Sequence, residues 1–279
     1  MSFIITSTKI YSDRGLINGG LLIENGKLKK IISHDHLNLY KNVQRIDYQE
    51  QRIIPGIIEM HVHGYKGWYA MSSKESDIQH LALAMTTCGV TAFTPTNHLR
   101  KDIFENHQAI VKVMKSDYTG AKVLGIHMEG PFISQERLGS VILSEVTEPN
   151  LALMQKFYDT AEGNITTVTL APEIEGNDLI IDFCNEHGIN VCLGHTNATY
   201  QQAKKAIDMG AIISQKTGNC MRPMHQRDLG VVGAVLLDQR IYNEINSDLR
   251  HTSADFFNPV VDTKQNVFRT SIKDTTCIS

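Results

Sequence analysis

From Pro55 onward, apolar runs of strand length alternate with amphipathic segments of helix length, and most of the runs stop on a histidine, glutamate or asparagine. That alternation limits the fold more than any other feature of the chain. Repeated strand–helix units with apolar strands make a parallel sheet covered by helices. The candidate strands are 53–63, 91–96, 122–129, 166–173, 190–196, 211–216 and, less regular, 242–251. Between them, 76–87, 101–115, 150–161, 178–187 and 200–209 carry apolar residues at helical spacing. The polar strand ends are His61 and His63, Asn97 and His98, Glu129, Glu173 and His195. In a (β/α)8 barrel of the TIM type, that rim is where an active site is built. The open doubly wound sheet is the other way to arrange such units. It normally carries a glycine-rich phosphate turn after its first strand, and none stands here.

Residues 1–54 read differently, as short strands broken by turns. Asn25-Gly26 between two apolar strands is a strong two-residue hairpin signal. They are expected to form the N-terminal part of a small β domain of sandwich type, followed by the barrel over 55–262. The barrel count is short, at about seven βα units, and 263–279 shows neither helical nor strand period. An incomplete barrel with an irregular tail is therefore expected, since a barrel of this type takes roughly 250 residues.

The chain has 279 residues, 42% of them hydrophobic, and a net charge of -3. That is ample for a buried core, and the near-neutral balance argues against a nucleic-acid partner. No apolar stretch is long enough to span a bilayer, and the N-terminus lacks the build of a signal peptide. The five cysteines are scattered and odd in number, which suits free thiols in a reducing cytoplasm. A cytoplasmic protein without a membrane partner is the expectation.

The chemistry gathers at three strand ends. His61-Val62-His63 places two imidazoles at i and i+2, on one face of a strand, where they can grip one divalent ion. Taken alone, the pair could equally be two unrelated histidines at a surface strand end. His127 and Glu129 alternate onto one face before Gly130-Pro131 breaks the strand, and His195 stands at the tip of 190–196. His61, His63, Glu129 and His195 make a set suited to zinc or iron, the ligand chemistry of a hydrolytic metal site.

These residues carry a resemblance. Pro55 to Gly64, the block His127-Met128-Glu129-Gly130-Pro131-Phe132, and Gly194-His195-Thr196-Asn197-Ala198-Thr199 resemble the N-acetylglucosamine-6-phosphate deacetylases of the metal-dependent amidohydrolase superfamily. Asn219 to Gly233 adds a fourth block in the right order, and the similarity runs from Met1 to about Pro259. It implies an amidohydrolase barrel that hydrolyses the acetamide of N-acetylglucosamine-6-phosphate in amino-sugar catabolism, with zinc the expected metal and iron the alternative. Glu129 and His195 would be ligands, with His61 and His63 holding a second metal where the family has one. Asn219 and the backbone at Cys220 would contact the substrate. Arg227 would hold the sugar phosphate across a homodimer interface, and His251 would contact the sugar. Without the resemblance, Arg227 and His251 read as a solvated loop arginine and a helix-start histidine.

Three departures from the family pattern bear on activity. Lys216 stands where the family has a metal-binding histidine, so its ammonium must be neutralised, turned away, or fatal to that site. Val141 falls where a polar residue on the substrate side is expected. The family's catalytic aspartate lies in an eighth strand, and no catalytic residue is identified in this chain, since Asp255 and Asp262 match no motif. Loss of a general acid–base costs roughly a hundred- to ten-thousand-fold in rate. An inactive, C-terminally truncated relative that binds metal or sugar phosphate is therefore the competing expectation. Another amidohydrolase activity is a third, against which the Gly-Pro-Phe and Gly-His-Thr-Asn blocks argue.

Overall fold

The computed structural model describes residues 2–13, 15–264 and 266–270. Chain contacts divide between Ile57 and Ile58 into two units. In the first, β1 (Ser2–Ser12), β2 (Gly15–Glu24), β3 (Lys27–Ser33), β4 (Gln44–Asp47) and β5 (Arg52–Ile53) form one sheet. Its order is β3-β2-β1-β4, with β5 also on β1. Asn25 and Gly26 turn β2 into β3 with φ of 51° and 75°. Both lie in the left-handed region that a two-residue hairpin needs. Among the described residues these strands make one sheet. Its apolar face, with Ile4, Leu22 and Ile32, is covered by Leu37 of a 3-10 helix over His34–Tyr40. Gly20 makes that close cover possible, because a Cβ there would meet Leu37 Cδ2 at 2.9 Å and Ile4 Cγ2 at 2.7 Å.

The second unit opens within β6 (Ile57–Val62), one residue after its start, and continues into a short hairpin of β7 (Gly64–Tyr65) and β8 (Trp68–Tyr69). Strands and helices then alternate: α1 (Glu75–Thr86), β9 (Val90–Asn97), α2 (Ile103–Lys115), β10 (Lys122–Val123) and β11 (Ile126–Glu129). They continue as α3 (Leu151–Thr160), β12 (Ile165–Leu170), α4 (Asn177–Glu186), β13 (Asn190–Leu193), α5 (Tyr200–Asp208) and β14 (Ala211–Ser214). The last are α6 (Gly230–Leu237), β15 (Tyr242–Asn246), α7 (Ala254–Thr263) and β16 (Val267–Thr270). From β9 to β16 every described pairing is parallel; β11 lies beside β9, and from β12 onward each strand lies beside the one before it in the chain. β6 and β10 both pair with β9. A sheet wound in one direction has no switch point, which sets aside the doubly wound alternative. Among the described residues no ladder joins β16 to β6, so the curled sheet is an incomplete barrel with two edges.

The seven strand–helix units run from β6–α1 to β15–α7. Where an irregular tail is expected from 263, an eighth strand position follows them, β16, whose Val267–Thr270 pair with Asn243–Asn246. Four residues are too few to show a period of two, and the neighbouring ladder, not the pattern, holds them extended. Residues 271–279 lie outside the described residues. The helix α6, Gly-Val-Val-Gly-Ala-Val-Leu-Leu, is apolar on all faces and mostly buried, so it shows no amphipathic period.

Candidate metal centre

The strands end earlier than the sequence pattern implies, and two of the key side chains are aimed by turns instead. β13 stops at Leu193 and β14 at Ser214. His195 and Lys216 follow in left-handed backbone, at φ 48° and 43°. For non-glycine residues such conformations cost on the order of 1–3 kcal/mol each and collect at functional sites. His61 and Glu129, by contrast, lie within β6 and β11, and His63 lies one residue past its strand.

All of them meet at the Glu129 carboxylate, which is 1% exposed. Its Oε2 lies 2.7 Å from His98 Nε2, 3.0 Å from His63 Nε2 and 3.8 Å from His61 Nε2. Its Oε1 lies 2.6 Å from Lys216 Nζ, 2.9 Å from His195 Nε2 and 2.9 Å from Gln215 Nε2. The Nε2 atoms of His61 and His63 are 3.1 Å apart. On the far side of its ring, His61 Nδ1 is 2.8 Å from Glu244 Oε1 on β15. A carboxylate can only accept, so His61 donates from Nδ1 and turns Nε2 toward the cluster. His195 Nδ1 likewise faces the Arg137 carbonyl at 3.0 Å.

The charges answer one another. Burial alone would raise the Glu129 carboxyl, but Lys216, His61 and His63 override it and hold it well below the usual range. Burial opposes the Lys216 ammonium, and Glu129 outweighs it, lifting the amine above its ordinary value. His61 is also disfavoured as a cation by burial, yet Glu244 and Glu129 carry it up to about 9. His98 is raised despite burial because Glu129 and Glu145 flank it. His127, on the same strand as Glu129, behaves differently. Burial pushes it down to about 3, and its nitrogens bond Thr169 Oγ1 at 2.8 Å and the Met60 carbonyl at 3.2 Å. It is a neutral buttress under the site.

The four expected ligands, His61, His63, Glu129 and His195, are thus brought to one place. Three of them, His61, His63 and Glu129, offer ligand atoms that all lie within 4.8 Å of one another. Two imidazole nitrogens and a carboxylate, with His61 backed by Glu244, are a donor set and outer support compatible with a divalent metal ion. An ion there would displace the protons the buried bases now hold, since ligands bind deprotonated. The residues fit a divalent ion on the Oε2 side of Glu129. On the Oε1 side they include an ammonium.

His98, Glu244 and Gln215 complete the cluster and are absent from the expected set. His98 carries a sequence signal, a polar strand end beside Asn97. Glu244 carries only its charge, in a strand buried from Asn243 to Asn246. The expected substrate residues are more dispersed. Asn219 and Cys220 follow Lys216 on the same loop, with Asn219 Nδ2 3.4 Å from Thr252 Oγ1. A Cβ on Gly139 would meet Cys220 Sγ at 2.4 Å and His195 Cε1 at 3.5 Å, so Gly139 lies tightly over both. Arg227 is exposed, and His251, also exposed, pairs through Nδ1 with Asp248 at 2.6 Å. Val141 is buried.

The model of the amidohydrolase family matches residues 52–253. N-acetylglucosamine-6-phosphate deacetylase of Lysinibacillus sphaericus is 32% identical over a stretch covering 82% of this chain and 59% of the relative. N-acetylgalactosamine-6-phosphate deacetylase of Escherichia coli O157:H7 is 30% identical, over 71% of this chain and 53% of the relative. Among solved structures, N-acetylglucosamine-6-phosphate deacetylase from Pasteurella multocida superposes with a TM-score of 0.88 at 27% identity, covering 97% of this chain and 71% of that one. The chain therefore spans little more than half the length of the two relatives compared by sequence. With a family model matched over 52–253, the chain belongs to the amidohydrolase family, and it is similar there to deacetylases of N-acetylated amino-sugar phosphates.

Proposed function

We propose that this chain is a metal-dependent deacetylase of N-acetylglucosamine-6-phosphate, yielding glucosamine-6-phosphate and acetate in amino-sugar metabolism. The observation that carries the reading is the meeting of His61, His63, Glu129 and His195 at the strand C-terminal rim. Zinc suits these nitrogen and carboxylate donors, and iron is the alternative. A divalent ion held there supplies Lewis acidity toward an amide carbonyl and a water. The protein's own part is to hold that chemistry in place. Glu244 and the Arg137 carbonyl orient His61 and His195. Asn219 and the Cys220 backbone position the substrate, while Arg227 and His251 hold its sugar phosphate, Arg227 from a partner copy in a homodimer. A cytoplasmic setting agrees with free thiols at Cys88, Cys184, Cys192 and Cys220.

A second reading, a chain that binds metal or sugar phosphate without turnover, is favoured by a specific observation. Among the described residues, the carboxylates bonded to the cluster histidines are glutamates, Glu129, Glu145 and Glu244, and Lys216 already engages the first of them. Acetate release from N-acetylglucosamine-6-phosphate by the zinc-loaded chain decides between them. Turnover abolished by Glu129→Gln is expected for the deacetylase. Saturable sugar-phosphate binding without acetate selects the second reading.

A further inference from the structure

Glu129 does not present two equivalent oxygens. Three hydrogen-bond donors crowd Oε1: the Lys216 ammonium, the Gln215 amide and the His195 ring. Each carboxylate oxygen has about two lone-pair sites, so Oε1 is fully subscribed by protein. The partners of Oε2 are imidazole nitrogens, of His63, His98 and, farther off, His61. Imidazole nitrogens become metal ligands once they lose their protons, whereas an ammonium has no lone pair to give.

Lys216 is also held in place rather than swinging free. It is 8% exposed, its backbone is left-handed, and the Thr217 amide bonds the Glu244 carbonyl at 2.7 Å. Asn219 N bonds the Lys216 carbonyl at 2.7 Å, closing the turn behind it. A charged side chain is buried this completely only when paired. Its partner is Glu129 Oε1, the oxygen turned away from the His61–His63 pair.

We infer that Lys216 is a tethered cation standing in for one of two metal ions, so that the cluster takes a single divalent ion, on His61, His63 and Glu129 Oε2. The inference rests on the metal-centre reading above and narrows its ligand set from four residues to His61, His63 and Glu129. Repulsion between an ammonium and a dication sharing one carboxylate keeps the Oε1 side closed to metal. His195 is then a positioning residue that steadies Oε1, rather than a ligand.

The test counts ions on the full chain, stripped with chelator, reloaded with Zn²⁺ and freed of excess by gel filtration. Elemental analysis should find about one equivalent, lost in His61→Asn and kept in His195→Asn. Lys216→His supplies a neutral imidazole and should raise the count to about two equivalents, the second lost again when His195→Asn is added. Lys216→Met, which removes the charge without adding a donor, should stay at about one equivalent. Circular dichroism on each variant keeps a misfolded protein from being scored as a lost ion, and Co²⁺ absorption bands give a second readout of the same sites. Two ions in the unaltered chain would overturn the inference, as would one ion that His195→Asn abolishes and His61→Asn leaves in place. No ion in either the unaltered chain or Lys216→His would instead remove the metal-centre reading, and the inference with it.

Discussion

α1 and α7 belong to the first and last strand–helix–strand units of one sheet, yet they are covered very differently. α1 buries Ile78, Leu81, Ala82 and Met85 completely. α7 buries Val260 at 4% exposure, leaves Phe256, Phe257 and Val261 half-buried, and carries Pro259 inside the helix. A proline there removes the bond that would reach back to Asp255 and crowds its carbonyl. The difference teaches where the site draws its rigidity. His61 and Glu129 lie on strands of the well-covered side and His63 and His98 one residue past theirs, whereas Glu244 sits on β15, between β14 and the four-residue β16. One contact ties α7 back to the chemistry: a Cβ on Gly218 would touch the Phe256 ring at 3.0 Å, so that helix packs on the loop carrying Lys216, Asn219 and Cys220.

Matched truncations on the two helices should expose this gradient. Leu81→Ala should cost about 2–5 kcal/mol, because it opens a cavity in packed core. Val261→Ala should cost about 0.5–1 kcal/mol, because it removes side-chain area that is already partly wet. Urea unfolding midpoints measure both. Equal losses would erase the contrast.

Acid sharpens the same comparison at the well-packed side. Burial holds His107 of α2 down to about 4, against an ordinary 6.5. Its ring centroid is 5.9 Å from that of Phe157 on α3. The folded pKa is the lower of the two, so the unfolded chain takes up the proton first. His107 carries no penalty above pH 6.5. Stability is then lost progressively as pH falls toward 4, by roughly 3 kcal/mol in all. His107→Leu should flatten that part of the stability–pH curve, and an unchanged slope would show that other groups dominate it.

Much of this organisation is legible in the amino-acid order. Apolar runs and helical spacing fix the strand–helix alternation from β6 to β14, and Asn25-Gly26 marks its hairpin. The strand-end rule also gathers His61, His63 and Glu129, since alternation aims side chains inside a strand. It says less about His195 and Lys216, which lie beyond their strands and depend on positive φ. Nor can a one-dimensional pattern reveal that Glu244 stands behind His61, 183 residues away. β16 is missed because four residues carry no readable period, and α6 because a helix apolar on every side has none. Lys216 is the instructive case. The sequence identifies it as the wrong residue for a ligand, and the geometry shows which oxygen it occupies.

The central claim is that the Glu129 cluster is a metal centre on the Oε2 side of the carboxylate. Anomalous diffraction at the zinc edge, from crystals of the zinc-loaded chain, tests it directly. The account predicts one strong peak bounded by His61 Nε2, His63 Nε2 and Glu129 Oε2, with Lys216 Nζ still on Oε1. A peak held instead by His195 and Oε1 with Lys216 displaced, or a cluster with no peak at all, would contradict it.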